Sequence, residues 1–134
     1  MAKKFDENSR VKIPALLHLT RLNYQYVSYR ESESLIDTET NIYKKSFQAD
    51  LNKINHKNFT DSEVEMIIRD LKNFLQAEDL GRKFLEKLQH GITFNEENVR
   101  LIDFENIDNN IWEVMTEVPY KSGNYSFRPD ITIF

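Results

Sequence analysis

A change of hydrophobic period at Gly91-Ile92 constrains this chain more than any other feature. Before it, apolar residues recur every three to four positions. Thr60-Asp61-Ser62-Glu63 reads as a capping box, in which the Thr side chain reaches forward and the Glu side chain reaches back to satisfy free N–H groups. Val64, Ile67, Ile68, Leu71, Phe74 and Leu75 then form one apolar stripe, so a helix follows Thr60. A second helix runs from about Asn41 to Asn55 on Ile42, Phe47, Leu51 and Ile54. A third runs from about Leu80 to Gln89 on Phe84, Leu85 and Leu88, and Gly91 stops it. After Ile92 the pattern alternates as strands do. The chain must therefore join a helical block to a sheet.

The sheet residues are sparse but consistent. Val99 to Phe104 is short and β-prone, and Ile111 to Val118 alternates. That alternation places Ile111, Glu113, Met115 and Glu117 on one face and Trp112, Val114, Thr116 and Val118 on the other. Lys121-Ser122-Gly123-Asn124 is turn chemistry, and Ser126 to Phe134 reads as a last strand. Upstream, Val11, Ala15, Leu16, Leu19 and Leu22 predict a helix from about Glu7 to Leu22, kinked at Pro14 or beginning near Ile13. Asn23 ends that helix and Tyr24 to Tyr29 alternates as a first strand, while Arg30 to Thr40 reads as a loop. The expected class is α/β (α+β) in one domain over residues 1–134. Residues 1–30 form a helix and first strand, 41–90 the helical block, and 96–134 the strands.

Composition closes several routes. There is no cysteine among the 134 residues, which removes disulfides, thiolate metal sites and cysteine nucleophiles and fits a cytoplasmic setting. No apolar run approaches the roughly 20 residues of a membrane span, so no membrane partner is expected. His18, His56 and His90 lie in separate segments without metal-ligand spacing. Gly-x-Ser-x-Gly, Gly-x-x-x-x-Gly-Lys and Gly-x-Gly-x-x-Gly are all absent.

The net charge of −4 hides a polarity. Residues 1–30 carry Lys3, Lys4, Arg10, Lys12, Arg21 and Arg30 against Asp6 and Glu7, a local +4 that leaves −8 for the remainder. With Tyr24, Tyr26 and Tyr29 close behind, this segment could track a phosphate backbone; composition alone favours a solvated helix face with core aromatics. Residues 96–113 hold Glu96, Glu97, Asp103, Glu105, Asp108 and Glu113 against Arg100. Those acids are either a solvated surface or additional ligands for a hard cation. Glu113 and Glu117 have the same two readings. Asp130, in Arg128-Pro129-Asp130, stands at the start of an apolar strand, where proline is tolerated. Its carboxylate suits Mg²⁺ through oxygen, although a turn acid at a strand end has the same appearance.

Two segments carry a resemblance. Phe5 to Leu19 (Phe-Asp-Glu-Asn-Ser-Arg-Val-Lys-Ile-Pro-Ala-Leu-Leu-His-Leu) with Leu22-Asn23-Tyr24 resembles the start of the R subunit of type I restriction-modification systems. Leu101 to Asn106, Asn109-Asn110, Val114, Met115 and Val118, ending in Arg128 to Phe134, resembles the same family's nuclease core. In that core an Arg-Pro-Asp strand supplies the first acid of a PD-(D/E)xK site. The resemblance implies a restriction-endonuclease-like core, a helix on a mixed sheet with a helical insertion. It implies Mg²⁺-dependent phosphodiester hydrolysis of double-stranded DNA, with Asp130 as the metal-binding catalytic acid and Glu7 as a supporting acid. Arg10, Lys12 and Arg128 would contact DNA. The methyltransferase and specificity subunits would be partners, and ATP would bind in the parent protein outside these residues. The family's pattern continues past Asp130 with a turn and a strand bearing Glu-x-Lys, neither of which lies within residues 131–134. The expectation is thus a truncated, N-terminal part of an endonuclease domain, inactive by itself. The alternative is a non-catalytic α/β module that binds DNA or another subunit.

Overall fold

The structure, a computed structural model, describes residues 6–32, 36, 37 and 39–133. Lys3, Lys4, Phe5, part of the expected 30–40 loop and Phe134 lie outside the described residues, as does the Tyr29 side chain. The chain divides into two compact units, Met1–Ser34 with Trp112–Phe134, and Leu35–Ile111. Helices and mixed strands make it an α/β protein, as its periodicities require. Among the described residues no helix is long and apolar enough to cross a membrane.

The unit Leu35–Ile111 holds α3 (Lys44–Asn55), α4 (Asp61–Leu75), α5 (Arg82–His90) and a hairpin of β2 (Ile92–Phe94) and β3 (Glu97–Val99). The capping box forms at the start of α4: Glu63 N–H donates to Thr60 Oγ1 at 3.3 Å, and Thr60 N–H donates to Glu63 Oε2 at 2.8 Å. The α4 stripe Val64, Ile67, Ile68 and Leu71 packs with Leu51, Phe59, Ile92, Phe94, Val99 and Leu101 into one core. Gly91 caps α5 at φ 83°, and a Cβ there would lie 2.6 Å from the Val99 carbonyl oxygen. Only glycine lets the chain turn from α5 into β2 this close to β3.

Here the β-prone stretch Val99 to Phe104 departs from expectation. Only Val99 is in a strand, paired back to Ile92. Beyond it the backbone leaves the ladder, because Asn55 captures it: Arg100 N–H donates to Asn55 Oδ1 and Asn55 Nδ2 donates to the Arg100 carbonyl, both at 2.8 Å. The β2–β3 hairpin itself turns on Asn95 and Glu96, both with positive φ (48° and 64°), as a two-residue turn matching the strand twist requires.

The other unit begins with a π-type turn at Asn8–Lys12, closed by the Ile13 N–H on the Asn8 carbonyl. Helix α1 (Ile13–Arg21) follows with Pro14 in its first turn. Proline lacks the N–H that would bond back into the preceding turn, so the α-helix starts at Ile13 and the earlier turn winds wider. This shifts the phase: Ala15, Leu16 and Leu19 are half-buried, while Val11 and Leu22 are exposed. Asn23 (φ 70°) stops the helix as expected.

Strand β1 is shorter than predicted, Gln25–Tyr26, and Tyr29–Ser32 forms a short helix, α2, where strand and loop were expected. Ser28 starts that turn, its N–H and hydroxyl both donating to Glu31 Oε2. β1 runs parallel to β4 (Glu113–Thr116), and β7 (Ile131–Ile133) runs antiparallel to β4. The mixed sheet has order β1-β4-β7. Val114 and Met115 are both buried, so the central strand is covered on both faces and its alternation ends early. The predicted strand from Ser126 to Phe134 is two strands. Tyr125–Phe127 is β6, paired with β5 (Tyr120–Ser122) across Gly123-Asn124, and only Ile131–Ile133 joins the main sheet. Pro129 separates them because it cannot donate to a ladder.

Candidate functional site

β4 and β7 converge at the end from which the β5–β6 hairpin departs. Directly after β4 the backbone of Glu117 takes a left-handed conformation, φ 54°, which stops the strand and turns the residue out of register. Its N–H donates to the Asp130 carbonyl at 3.2 Å. This bond closes the base of the hairpin and puts Glu117 and Asp130 side by side. Asp130 immediately precedes β7, the strand-start position that Arg128-Pro129-Asp130 predicts.

A third residue meets them from the π-type turn. Lys12 Nζ donates to Glu117 Oε1 at 2.9 Å and lies 4.0 Å from Asp130 Oδ1. The Lys12 side chain is 13% exposed, against 49% for Glu117 and 68% for Asp130. The ammonium is thus tucked beneath two carboxylates that remain open to solvent. The Lys12 hydrogen bond and charge hold the Glu117 carboxyl below its usual range, assisted by the Arg128 charge. The Glu117 hydrogen bond raises the Lys12 pKa against the effect of burial, with further help from the charges of Glu117, Asp130 and Glu7. The lysine therefore favours the ionised form of Glu117, and the Asp130 carboxylate stands 4.0 Å from the same cation.

The other residues singled out by sequence take definite places. Glu7 is exposed at the start of the π-type turn, within the electrostatic reach of Lys12. Arg10 is exposed on the same turn. Arg128 is exposed and, with Thr116, Glu117 and Pro119, lines a cavity of about 320 Å³. Lys12, a candidate phosphate contact, has the carboxylates of Glu117 and Asp130 as its partners in this structure. Glu113 lies in β4 with its Oε2 buried and without a hydrogen-bond partner among the described residues. The remaining acids of 96–113 belong to the unit that does not contain Asp130. Among the described residues no group of three His, Cys, Asp or Glu side chains is placed to hold a metal ion.

The pairing of Lys12 with Glu117 was not legible in sequence. The two residues are 105 positions apart, and the left-handed turn at Glu117 carries no glycine signal. As oxygen donors, Asp130 and Glu117 suit a hard divalent cation: Mg²⁺ keeps several waters and uses one or two carboxylates together with substrate phosphates.

A family model described as the type I restriction enzyme R protein N terminus (HSDR_N) matches residues 4–134. No curated protein gives a significant match. The match takes in the entry helix, the helical block and the strand that Asp130 opens, and on it the chain belongs to the family of type I restriction enzyme R protein N termini.

Proposed function

We propose that this chain is the N-terminal endonuclease region of a type I restriction R subunit, with Asp130 as a metal-binding acid in Mg²⁺-dependent cleavage of DNA phosphodiesters. The observation that carries the reading is the convergence of the Asp130 and Glu117 carboxylates on one cation, the Lys12 ammonium, at the mouth of β4 and β7. Two solvent-open carboxylates that share a lysine partner can exchange it for a divalent ion. When bound, Mg²⁺ would polarise the phosphate and lower the pKa of a water. Asp130 is held by a strand start behind a rigid proline, and Glu117 by its backbone bond to the Asp130 carbonyl, so neither acid need reorganise to receive charge. Arg128, beside Glu117, adds positive potential toward an approaching phosphate.

The reading also requires a second family-motif acid and lysine, which residues 131–134 do not provide; residues 1–134 alone are expected not to cleave. In the whole assembly we assign double-stranded DNA, the methyltransferase and specificity subunits, and ATP bound elsewhere in the R subunit as partners. The test is plasmid cleavage by a chain extended through a Glu-x-Lys strand. With Mg²⁺, Asp130→Ala should reduce cleavage at least about 100-fold, on the scale of losing an electrostatic catalytic group, and chelation should do the same to wild type. Unchanged cleavage by Asp130→Ala sinks the assignment and favours a non-catalytic DNA- or subunit-binding module.

A further inference from the structure

The β5–β6 hairpin springs from the candidate site and returns to it, between Glu117 and Asp130. Its register pairs Tyr120 with Phe127 and Ser122 with Tyr125. Residues two apart on a strand share a face, so Tyr120, Tyr125 and Phe127 all stand on one side of a two-stranded ribbon. The Tyr120 and Phe127 rings stack, with centroids 5.3 Å apart and planes 20° apart. Yet Phe127 is 66% exposed and Tyr125 83% exposed. Gly123, at φ 57°, makes the two-residue turn that keeps the ribbon tight and its face in register.

An exposed aromatic face calls for an occupant, and charge indicates which. Residues 118–128 contain Lys121 and Arg128 and no acid, in a chain whose net charge is −4. Lys121 stands on the ribbon face opposite the rings, and Arg128 follows Phe127 toward Asp130. Aromatic faces beside cations, without acids, match a polyanion bearing flat apolar groups, which is a nucleic-acid strand with unpaired bases. In a paired duplex the base faces are covered by their neighbours, so side-by-side rings gain most from an unstacked strand.

We propose that the Tyr120-Tyr125-Phe127 face is a stacking platform for unpaired bases of the DNA strand delivered to Asp130, with Arg128, between the platform and Asp130, on its phosphates and Lys121 adding positive potential from the opposite face. The identity of the polymer rests on the nuclease reading above; the ring geometry and local charge do not. The experiment measures binding of the 134-residue chain to a single-stranded oligonucleotide containing 2-aminopurine and to a blunt duplex of the same sequence. Wild type should bind the single strand more tightly and quench its 2-aminopurine. The double variant Tyr125→Ala with Phe127→Ala should weaken that binding by about tenfold or more and abolish the quenching. Phe127→Trp should preserve both, and Arg128→Ala should lower the salt slope by about one without removing the quenching.

No binding by wild type, or equal binding by a double variant with unchanged circular dichroism, overturns the platform. A double variant that binds DNA normally but no longer associates with the specificity or methyltransferase subunits makes the face a protein interface and likewise overturns it. Failure of the nuclease reading is read separately: cleavage by the extended chain that survives Asp130→Ala removes the catalytic assignment, whereas the quenching result decides the platform by itself.

Discussion

Asp103 and Asp130 show how differently two regions of this molecule use a carboxylate. In the unit Leu35–Ile111, Asp103 is buried and fully committed. Its Oδ1 accepts from the N–H groups of Glu105 and Asn106 at 3.1 and 2.9 Å, and its Oδ2 accepts from Asn109 Nδ2 at 3.0 Å. Arg100 stands 3.5 Å away. Asn110 completes the loop by exchanging two 2.8 Å bonds with the Asp103 backbone. In the other unit, Asp130 is two-thirds exposed, and its carboxylate faces only the Lys12 ammonium at 4.0 Å among the described residues. Both aspartates sit in acid-rich or motif-like sequence. One has used its lone pairs to shape a loop, while the other leaves them open to solvent.

The comparison predicts that stability and function separate between the two regions, and the largest stability effect belongs to the core of the first. Ile67 is completely buried in α4. Ile67→Ala should cost about 3 kcal/mol, the middle of the range for such truncations, as a fall in the urea midpoint. A loss under about 1 kcal/mol would mean that the α4 stripe is not the core it resembles.

Next in size is the direct contrast. Asp103→Asn removes the charge that Asn106, Asn109 and Arg100 are arranged around, and replaces an acceptor with an amide that must point donors at donors. The urea midpoint should fall clearly, whereas Asp130→Asn should leave it unchanged. The two should also differ in acid. The N–H of Asn106, the amide of Asn109 and the Arg100 charge hold the Asp103 carboxyl below its ordinary value. Its contribution is therefore complete above the ordinary aspartate pKa of about 3.9 and is lost as pH falls through the lower folded value. Below about pH 4, wild type and Asp103→Asn should converge in stability. If Asp130→Asn lowers the midpoint as much as Asp103→Asn, the distinction between a structural and an available carboxylate fails.

What could be read from sequence follows from the range of the interactions responsible. Helix α4 was legible because its capping box and apolar stripe lie within sixteen consecutive residues, and α5 because Gly91 is the only residue its end tolerates. The strand-start position of Asp130 was legible because Pro129 excludes the alternatives. The β2–β3 hairpin was missed because its turn places Asn95 and Glu96, not glycine, at positive φ. The final strand was overextended because alternation continues through Tyr125–Phe127 although its partner there is β5, not β4. Asp103 looked like a candidate metal acid because an acid count does not register the Glu105, Asn106 and Asn109 groups that consume its carboxylate lone pairs. Of the three residues that meet, the sequence singled out Asp130, but Glu117 was only one of two strand acids and Lys12 only one of several cations. Their meeting depends on the parallel and antiparallel pairings of β4, which bring together segments more than 100 residues apart.

The smallest expected effect tests whether Lys12 is what prepares the site. Glu117 is held below its ordinary value first by the Lys12 hydrogen bond and charge and then by Arg128, so its stabilising contribution is complete above about pH 4.3 and is lost as pH falls through the folded value. Lys12 is raised, so its contribution is present below about pH 10.4 and is lost as pH rises through its folded value. The pair is therefore intact from about pH 5 to pH 10. Glu117 is half exposed, so solvent and salt screen the pair and Lys12→Gln should barely move the urea midpoint. A carboxyl-carbon NMR titration sees what the midpoint does not. In Lys12→Gln the Glu117 transition should move up toward the ordinary glutamate value, retaining the part of its depression due to Arg128. The Asp103 transition in the same spectra should stay where it is, because its depression comes from Asn106, Asn109 and Arg100. If Glu117 does not move, Lys12 is not what keeps the site ionised; if Asp103 moves with it, the two carboxylates are not independent and the contrast between them is wrong.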